Sequence, residues 1–223
     1  MVKIFLKDGK ELDFESAVPL FEAAKKISNS LAKDAVAASV NGELTDLREP
    51  ITDGAHVEFY TKEDKEGLFT LRHTCSHILA QALQHLYPGT KFAIGPAIDT
   101  GFYYDIDSDH VFSQDDFAAI EQEMAKIIKA NLPLEKKILS REEAIAYFKE
   151  KQQDYKVMLI EDLPEDAVIS LYTQGDFTDL CAGPHVRSTG KVKAFKLMTV
   201  AGAYWRGDEH NKMLSRIYGT AFQ

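Results

Sequence analysis

The sequence predicts an α+β protein of two domains. The first, over residues 1–62, is a small β-grasp (ubiquitin-like) domain; the second, over 63–223, is a larger α+β domain with a mainly antiparallel sheet and a long histidine-bearing helix. Three observations predict this. Short β-type runs in the order ββαβ…β fill the first part, a length near the lower limit for folding alone. The stretch Thr61-Lys62-Glu63-Asp64-Lys65-Glu66-Gly67 then has no apolar residue to bury and reads as the boundary. Beyond it, a helical pattern over 68–87 is followed by mixed strand and helix patterns that close in three strand runs.

In chain order, residues 2–6 and 10–14 flank Asp8-Gly9, a tight-hairpin signal. Leu20, Ala23, Ala24 and Ile27 recur at helical spacing until Ser28-Asn29-Ser30 breaks the pattern. Residues 35–40, the turn Asn41-Gly42, a run through Leu47, and residues 57–60 complete the first domain, which shows no cluster of titratable groups; His56 beside its turn reads as a surface residue. The helix over 68–87 carries Leu71, Cys75, Ile78, Ala82 and Leu86 as one apolar stripe and stops at Pro88-Gly89. Residues 91–98 and 102–106 form a hairpin about Asp99-Thr100-Gly101, kinked at Gly95-Pro96. Ser113 with Asp116 caps a helix striped by Phe117, Ile120, Met124, Ile127 and Ile128, and Ser140 with Glu143 caps another after a strand at 134–139. Strand candidates follow at 168–172, 193–198, 203–206 and 214–222.

The composition, 45% hydrophobic and 27% charged over 223 residues, is that of an ordered globular chain. No apolar run approaches the ~20 residues that span a bilayer and the N-terminus has no signal-peptide pattern, so a cytoplasmic location without a membrane partner is expected. The net charge of −9 argues against wholesale coating of nucleic acid. From Cys181 onward, however, seven Lys and Arg face only Asp208 and Glu209, a local +5 that suits a phosphate backbone as well as it suits a lysine-guarded sheet edge.

Two stretches concentrate the chemistry: His73-Thr74-Cys75-Ser76-His77 and Asp179-Leu180-Cys181-Ala182-Gly183-Pro184-His185. Both cysteines lie inside them, which favours thiol or metal chemistry in a reducing compartment over a disulfide. On the predicted helix, His73 and His77 face away from the apolar stripe, together with Ala80 and Gln84; they line a cleft or stand in solvent. Gly183-Pro184 forbids a regular helix, so Cys181 and His185 belong to a bent loop. Cys75 sits on the stripe and is read as packing. A zinc-protease reading fails because H-E-x-x-H needs a glutamate where Thr74 stands. Two readings stay open: a closed zinc site of His73, His77, Cys181 and His185, or a metal-free pocket that holds and activates a water, with Asp179 and Lys156 to orient it.

His73-x₃-His77, Ile94-Gly95-Pro96 with Gly101-Phe102-Tyr103-Tyr104-Asp105, Asp179-Leu180-Cys181-x-Gly183-Pro184-His185, and Ala201-Gly202-Ala203-Tyr204-Trp205-Arg206-Gly207-Asp208 through Arg216-Ile217-Tyr218-Gly219-Thr220 together resemble the N-terminal part of bacterial threonyl-tRNA synthetases. The resemblance covers essentially the whole chain. It implies a TGS-type first domain and an editing second domain, similar also to that of alanyl-tRNA synthetase. The implied reaction is hydrolysis of seryl-tRNA(Thr), with the tRNA acceptor end carrying serine as partner. The class II aminoacylation core and anticodon-binding domain that follow in the family are further implied partners, and the family's ATP and zinc belong to that core. Editing itself is expected to need no cofactor. Residue by residue, the resemblance gives His73 and Lys156 to water activation, His77, Cys181 and His185 to the catalytic pocket, and Asp179, Tyr104, Gly95 and Arg206 to substrate binding. A tRNA-binding module without turnover and a zinc-dependent ester hydrolase are the alternatives.

Overall fold

The computed structural model describes residues 1–222; residue 223, the last of the expected second domain, lies outside the described residues. Helices mix with mostly antiparallel sheets, as the α+β reading requires. Strands β1 (Val2–Leu6), β2 (Glu11–Phe14), β3 (Ala35–Val40), β4 (Glu43–Thr45) and β5 (His56–Thr61) form one sheet in the order β2-β1-β5-β3-β4, and β1 runs parallel to β5. The β1–β2 turn closes as its sequence demands: Gly9 takes φ 87° and Asp8 accepts from Lys10 N at 3.0 Å. Helix α1 (Leu20–Ile27) buries Leu20, Ala23 and Ala24 beneath this sheet, against Ile4, Leu47 and Val57. Ser28 ends α1 but does not end helical structure. It caps α2 (Asn29–Asp34) by accepting from Leu31 N. His56 is exposed.

The charged stretch after β5 is a tight joint. Asp64 accepts from Thr61 N at 2.7 Å and serves as N-cap of α3 (Lys65–Leu86), so the long helix starts three residues earlier than its apolar pattern. Its expected stripe, Leu71, Cys75, Ile78 and Ala82, is buried, whereas Leu86 in the last turn is exposed. The flank and far side are buried too: Thr70, Thr74 and Gln81 beside the stripe, and His77 and Ala80 beyond them, are all enclosed. The histidines therefore line a packed interior, because α3 is covered on both sides.

One cover is the sheet β12-β13-β8-β6, built from β6 (Lys91–Phe92), β8 (Gly101–Asp107), β12 (Ala194–Tyr204) and β13 (Met213–Phe222), with β7 (Ala97–Ile98) paired to β8. Helix α4 (Phe117–Ala130), entered through the Ser113–Asp116 capping box, closes the same core with Phe117, Ile120, Met124 and Ile127. The expected strands at 193–198 and 203–206 are a single strand, β12, which stays continuous through a register shift between Leu197 and Thr199. The other cover is the antiparallel sheet β11-β10-β9, from β9 (Leu134–Leu139), β10 (Ile169–Gln174) and β11 (Phe177–Leu180). Helices α5 (Arg141–Glu150) and α6 (Asp154–Asp162) pack on it through Phe148, Val157 and Ile160. Among the described residues, no helix is long and apolar enough to cross a membrane.

Candidate functional site

The helical period sets the first wall. Residues 73 and 77 are one turn apart on α3, so both imidazoles project to the same side. The period of two sets the second: in β11, Phe177 and Asp179 point inward while Thr178 and Leu180 alternate away. The chain then bends. Gly183 takes φ 81°, and a Cβ there would sit 2.4 Å from the Tyr172 hydroxyl, so only glycine lets the loop fold back on β10. Cys181 and His185 consequently meet the α3 histidines. The His185 ring lies 4.2 Å, centroid to centroid, from both His73 and His77, and a ligand atom from each of His73, His77, Cys181 and His185 falls within 4.8 Å of the others.

The hydrogen bonds assign the protons. His73 Nδ1 lies 3.1 Å from the Pro184 carbonyl, which can only accept, so Nδ1 donates and Nε2 is bare. Cys181 Sγ is 3.3 Å from that Nε2, 3.2 Å from His185 Nε2, and accepts from Gly183 N at 3.2 Å. Thr74 Oγ1 accepts from Val186 N at 3.1 Å and lies 3.0 Å from His185 Nδ1. One arrangement uses each of these protons once: Thr74 O–H to His185 Nδ1, His185 Nε2–H to Cys181, Cys181 S–H to His73 Nε2, and His73 Nδ1–H to Pro184. His77 differs. Its Nε2 is 3.4 Å from Asp179 Oδ2, and its buried Nδ1 has no partner.

Behind His77 lies a buried charge network. Lys156 on α6 donates to the Ala93 carbonyl at 2.6 Å, the Tyr104 hydroxyl at 2.8 Å and Asp179 Oδ1 at 2.7 Å, which engages all three ammonium protons. Asp179 also accepts from Leu180 N at 2.8 Å and from Tyr104 Oη at 2.5 Å. Gly95 backs the tyrosine; a Cβ there would lie 2.1 Å from the Tyr104 ring. A cleft of about 410 Å³ reaches the outer side of Lys156 and Asp179, between Phe92, Phe177, Lys91 and Lys151.

Charge states follow from this burial. Burial opposes charge on Asp179, but Lys156, His77 and the donated hydrogen bonds outweigh it and hold the carboxyl below its usual range. Burial and the Asp179 charge push the Tyr104 hydroxyl far up. Burial lowers His73, takes His77 down to about 3, and with the neighbouring imidazoles takes His185 well below its usual value. Burial also raises the Cys181 thiol to about 12. The cluster is neutral at physiological pH, beside one buried ion pair.

The four donors also suit a tetrahedral zinc ion, whose bonds would space ligand atoms roughly 3.3–3.7 Å apart. The Pro184 carbonyl on His73 and Thr74 on His185 orient the rings as outer partners of metal-bound imidazoles do. Chemically, then, the set can hold a metal or a water.

Of the residues singled out in the sequence, His73, His77, Lys156, Cys181, His185, Asp179, Tyr104 and Gly95 come together. Arg206 does not join them: it pairs with Asp162 at the end of α6 and lies over Trp205. Sequence reasoning passed over Thr74 and Tyr172, and it found nothing in the first domain, although Asp46 and Arg48 reach the loop from there. Thr74 was within sight, since a mid-helix threonine between two site histidines has a hydroxyl to place; Asp46, well over a hundred residues from its partner His185, gave no local signal.

Residues 2–61 match the family model of the TGS domain, and residues 169–218 match the model described as the threonyl and alanyl tRNA synthetase second additional domain. Over 222 residues the chain is 60% identical to threonine–tRNA ligases of Clostridium acetobutylicum and Clostridium botulinum strain Kyoto, and 58% identical to that of Clostridium novyi. Each alignment covers 100% of this chain and 35% of the relative, so the chain spans about a third of the length of these curated relatives.

The neutral histidines make stability pH-dependent. Their folded pKa values lie below the unfolded value of ~6.5, so the unfolded chain takes up protons first. Stability is therefore full above pH ~6.5 and falls on acidification towards about 3, the His77 value, at up to ~1.4 kcal/mol per pH unit for each such histidine. Urea unfolding at stepped pH should show this slope, and His77→Gln should flatten it.

Proposed function

The chain belongs with the TGS-bearing N-terminal region of bacterial threonine–tRNA ligases, and on that premise we propose that its second domain hydrolyses the ester joining serine to the terminal adenosine of threonine tRNA. The need for such a site is physical. A pocket that accepts threonine rejects serine weakly, because one methyl group is worth only ~1–3 kcal/mol; a second pocket can instead exclude threonine by its extra methyl. In this reading the acceptor end of the tRNA reaches the half-exposed rim at His73, Cys181 and Pro184, and the remainder of the ligase grips the rest of the tRNA.

The observation that carries the reading is the unpartnered His77 Nδ1. His73 and His185 have both ring nitrogens engaged, whereas His77 turns Nε2 to Asp179 and leaves the lone pair of its buried Nδ1 free. There it accepts a proton of the attacking water. The water oxygen bonds to the ester carbonyl carbon, the tetrahedral intermediate expels the ribose oxygen, and that oxygen recovers the proton from His77. Serine and tRNA with a free hydroxyl are the products. Burial makes His77 a weak base, so the acceleration comes chiefly from fixing water beside an already activated ester. Asp179 stabilises the transient imidazolium through Nε2–H.

This assignment reshapes the roles implied by the sequence. Water activation passes from His73 to His77. Lys156 has no free proton and Asp179 has its four acceptor positions engaged, so both position His77 instead of touching substrate. Tyr104 shares that task. A zinc ion held by His73, His77, Cys181 and His185 would be a second way to activate water, by lowering the pKa of a bound water; the proton chain is closed through His73, Cys181 and His185 without one.

Three measurements test the proposal. Seryl-tRNA(Thr) should lose serine in the presence of the chain much faster than threonyl-tRNA loses threonine; RNA binding without cleavage would leave a binding module. His77→Ala should slow seryl hydrolysis by about 10²–10⁴-fold, more than His73→Ala does. Elemental analysis of protein purified without chelator should find no stoichiometric zinc, and one zinc per chain would transfer water activation to the metal.

A further inference from the structure

We infer that the first domain completes the site: Asp46 and Arg48, which follow β4, are positioning residues that hold the backbone of the Gly183–His185 loop in its working geometry. Asp46 is only 2% exposed although it belongs to the smaller domain. Its Oδ1 accepts from His185 N at 2.6 Å and from Arg48 Nη1 at 2.7 Å, and its Oδ2 accepts from the Tyr172 hydroxyl. Arg48 donates to the carbonyls of His185 at 3.2 Å, Val186 at 3.0 Å and Leu134 at 3.0 Å. Both backbone polar groups of a site histidine are thus held by one charged pair from another domain.

The consequences run straight into the cluster. Tyr172, fixed by Asp46, places its ring 4.6 Å from that of His185. Gly183 approaches the same carboxylate so closely that a Cβ would lie 3.3 Å from Asp46 Oδ2. Pro184, between these two held residues, presents the carbonyl that sets the His73 tautomer. Asp46 therefore acts on His185 directly and on His73 through the loop.

A purely adhesive role fits poorly. Adhesion between the two parts is already supplied nearby by the Lys136–Glu49 pair, the Lys191 bond to the Lys33 carbonyl, and the Arg187 guanidinium over Phe21. A buried ion pair adds little net stability over apolar replacements of similar volume, so what it contributes is one defined geometry. Hydrogen bonds to a charged acceptor supply that directionality.

The inference rests on the ester-hydrolysis reading only for its activity readout. The two cysteines supply a second readout, independent of activity, because Cys181 lies in the clamped loop and Cys75 is buried in the core. In the full chain, Asp46→Ala should raise iodoacetamide labelling of Cys181 at least about tenfold by local opening, with Cys75 as slow as in the unaltered chain. Seryl-tRNA hydrolysis should lose about 10- to 100-fold in kcat while KM stays within about twofold, as expected when a loop shifts by an ångström. Asp46→Asn, which keeps an acceptor for His185 N, should restore most of both. Unchanged Cys181 labelling overturns the inference. Joint labelling of Cys75 and Cys181 in both variants also overturns it, by assigning Asp46 to global folding. Should the unaltered chain cleave no seryl ester, the hydrolysis reading fails and the thiol comparison still decides the positioning role.

Discussion

The site depends on one buried anion. Asp179 sits in the interior, where an uncompensated carboxylate would cost many kcal/mol, and it stays ionised because Lys156, Tyr104, Leu180 N and His77 surround it. Removing one partner of such a pair costs about 3–5 kcal/mol, since the other charge is left buried alone. The pair thus ties together α6, which carries Lys156, β8, which carries Tyr104, and β11, which carries Asp179. Around it the fold has little freedom to drift.

What the anion does to the imidazoles follows from its direction. It lies against His77 Nε2, so the tautomer with a proton on that nitrogen is favoured and the lone pair on Nδ1 is turned away from Asp179. A second carboxylate, Asp46, touches the backbone of His185 instead of its imidazole, so it fixes where His185 sits without setting its charge. Two anions of similar burial therefore have different work: one selects a tautomer, the other a loop conformation. With the thiol held protonated and the histidines held neutral, the members of the cluster engage one another's lone pairs, and that of His77 Nδ1 is left over.

The sequence revealed the two walls because each is written locally. His73 and His77 are four apart on a helix whose stripe lies elsewhere, and Gly183-Pro184 declares a bend. The α+β outline was legible for the same reason, from Asp8-Gly9, the capping serines and the helical stripes. Continuous β12 was not legible, because Gly202 looks like a break when its hydrogen-bonded neighbours are unseen. Nor was the burial of both faces of α3, since helical periodicity reports how apolar a face is, and the histidine face is enclosed through polar contacts. Asp46 and Arg48 were invisible for a deeper reason: what makes them matter is the loop they meet, which the chain reaches well over a hundred residues later.

Which nitrogen is free could be decided only by counting protons. Three histidines and a cysteine at these spacings fit a metal, a nucleophile or a water-holding pocket equally well, and the side-chain inventory alone does not choose. The choice comes from carbonyls and hydroxyls with no conspicuous motif of their own: Pro184 O consumes the Nδ1 proton of His73, and in the arrangement that uses each proton once the Thr74 hydroxyl donates to His185 Nδ1. Once those are placed, Cys181 is satisfied from both sides, and the only lone pair left without a partner in the cluster is that of His77. The chemistry attributed to the motif is thus selected by its neighbours, which is why the backbone geometry of the loop, and whatever holds it, belongs to the site as much as the imidazoles do.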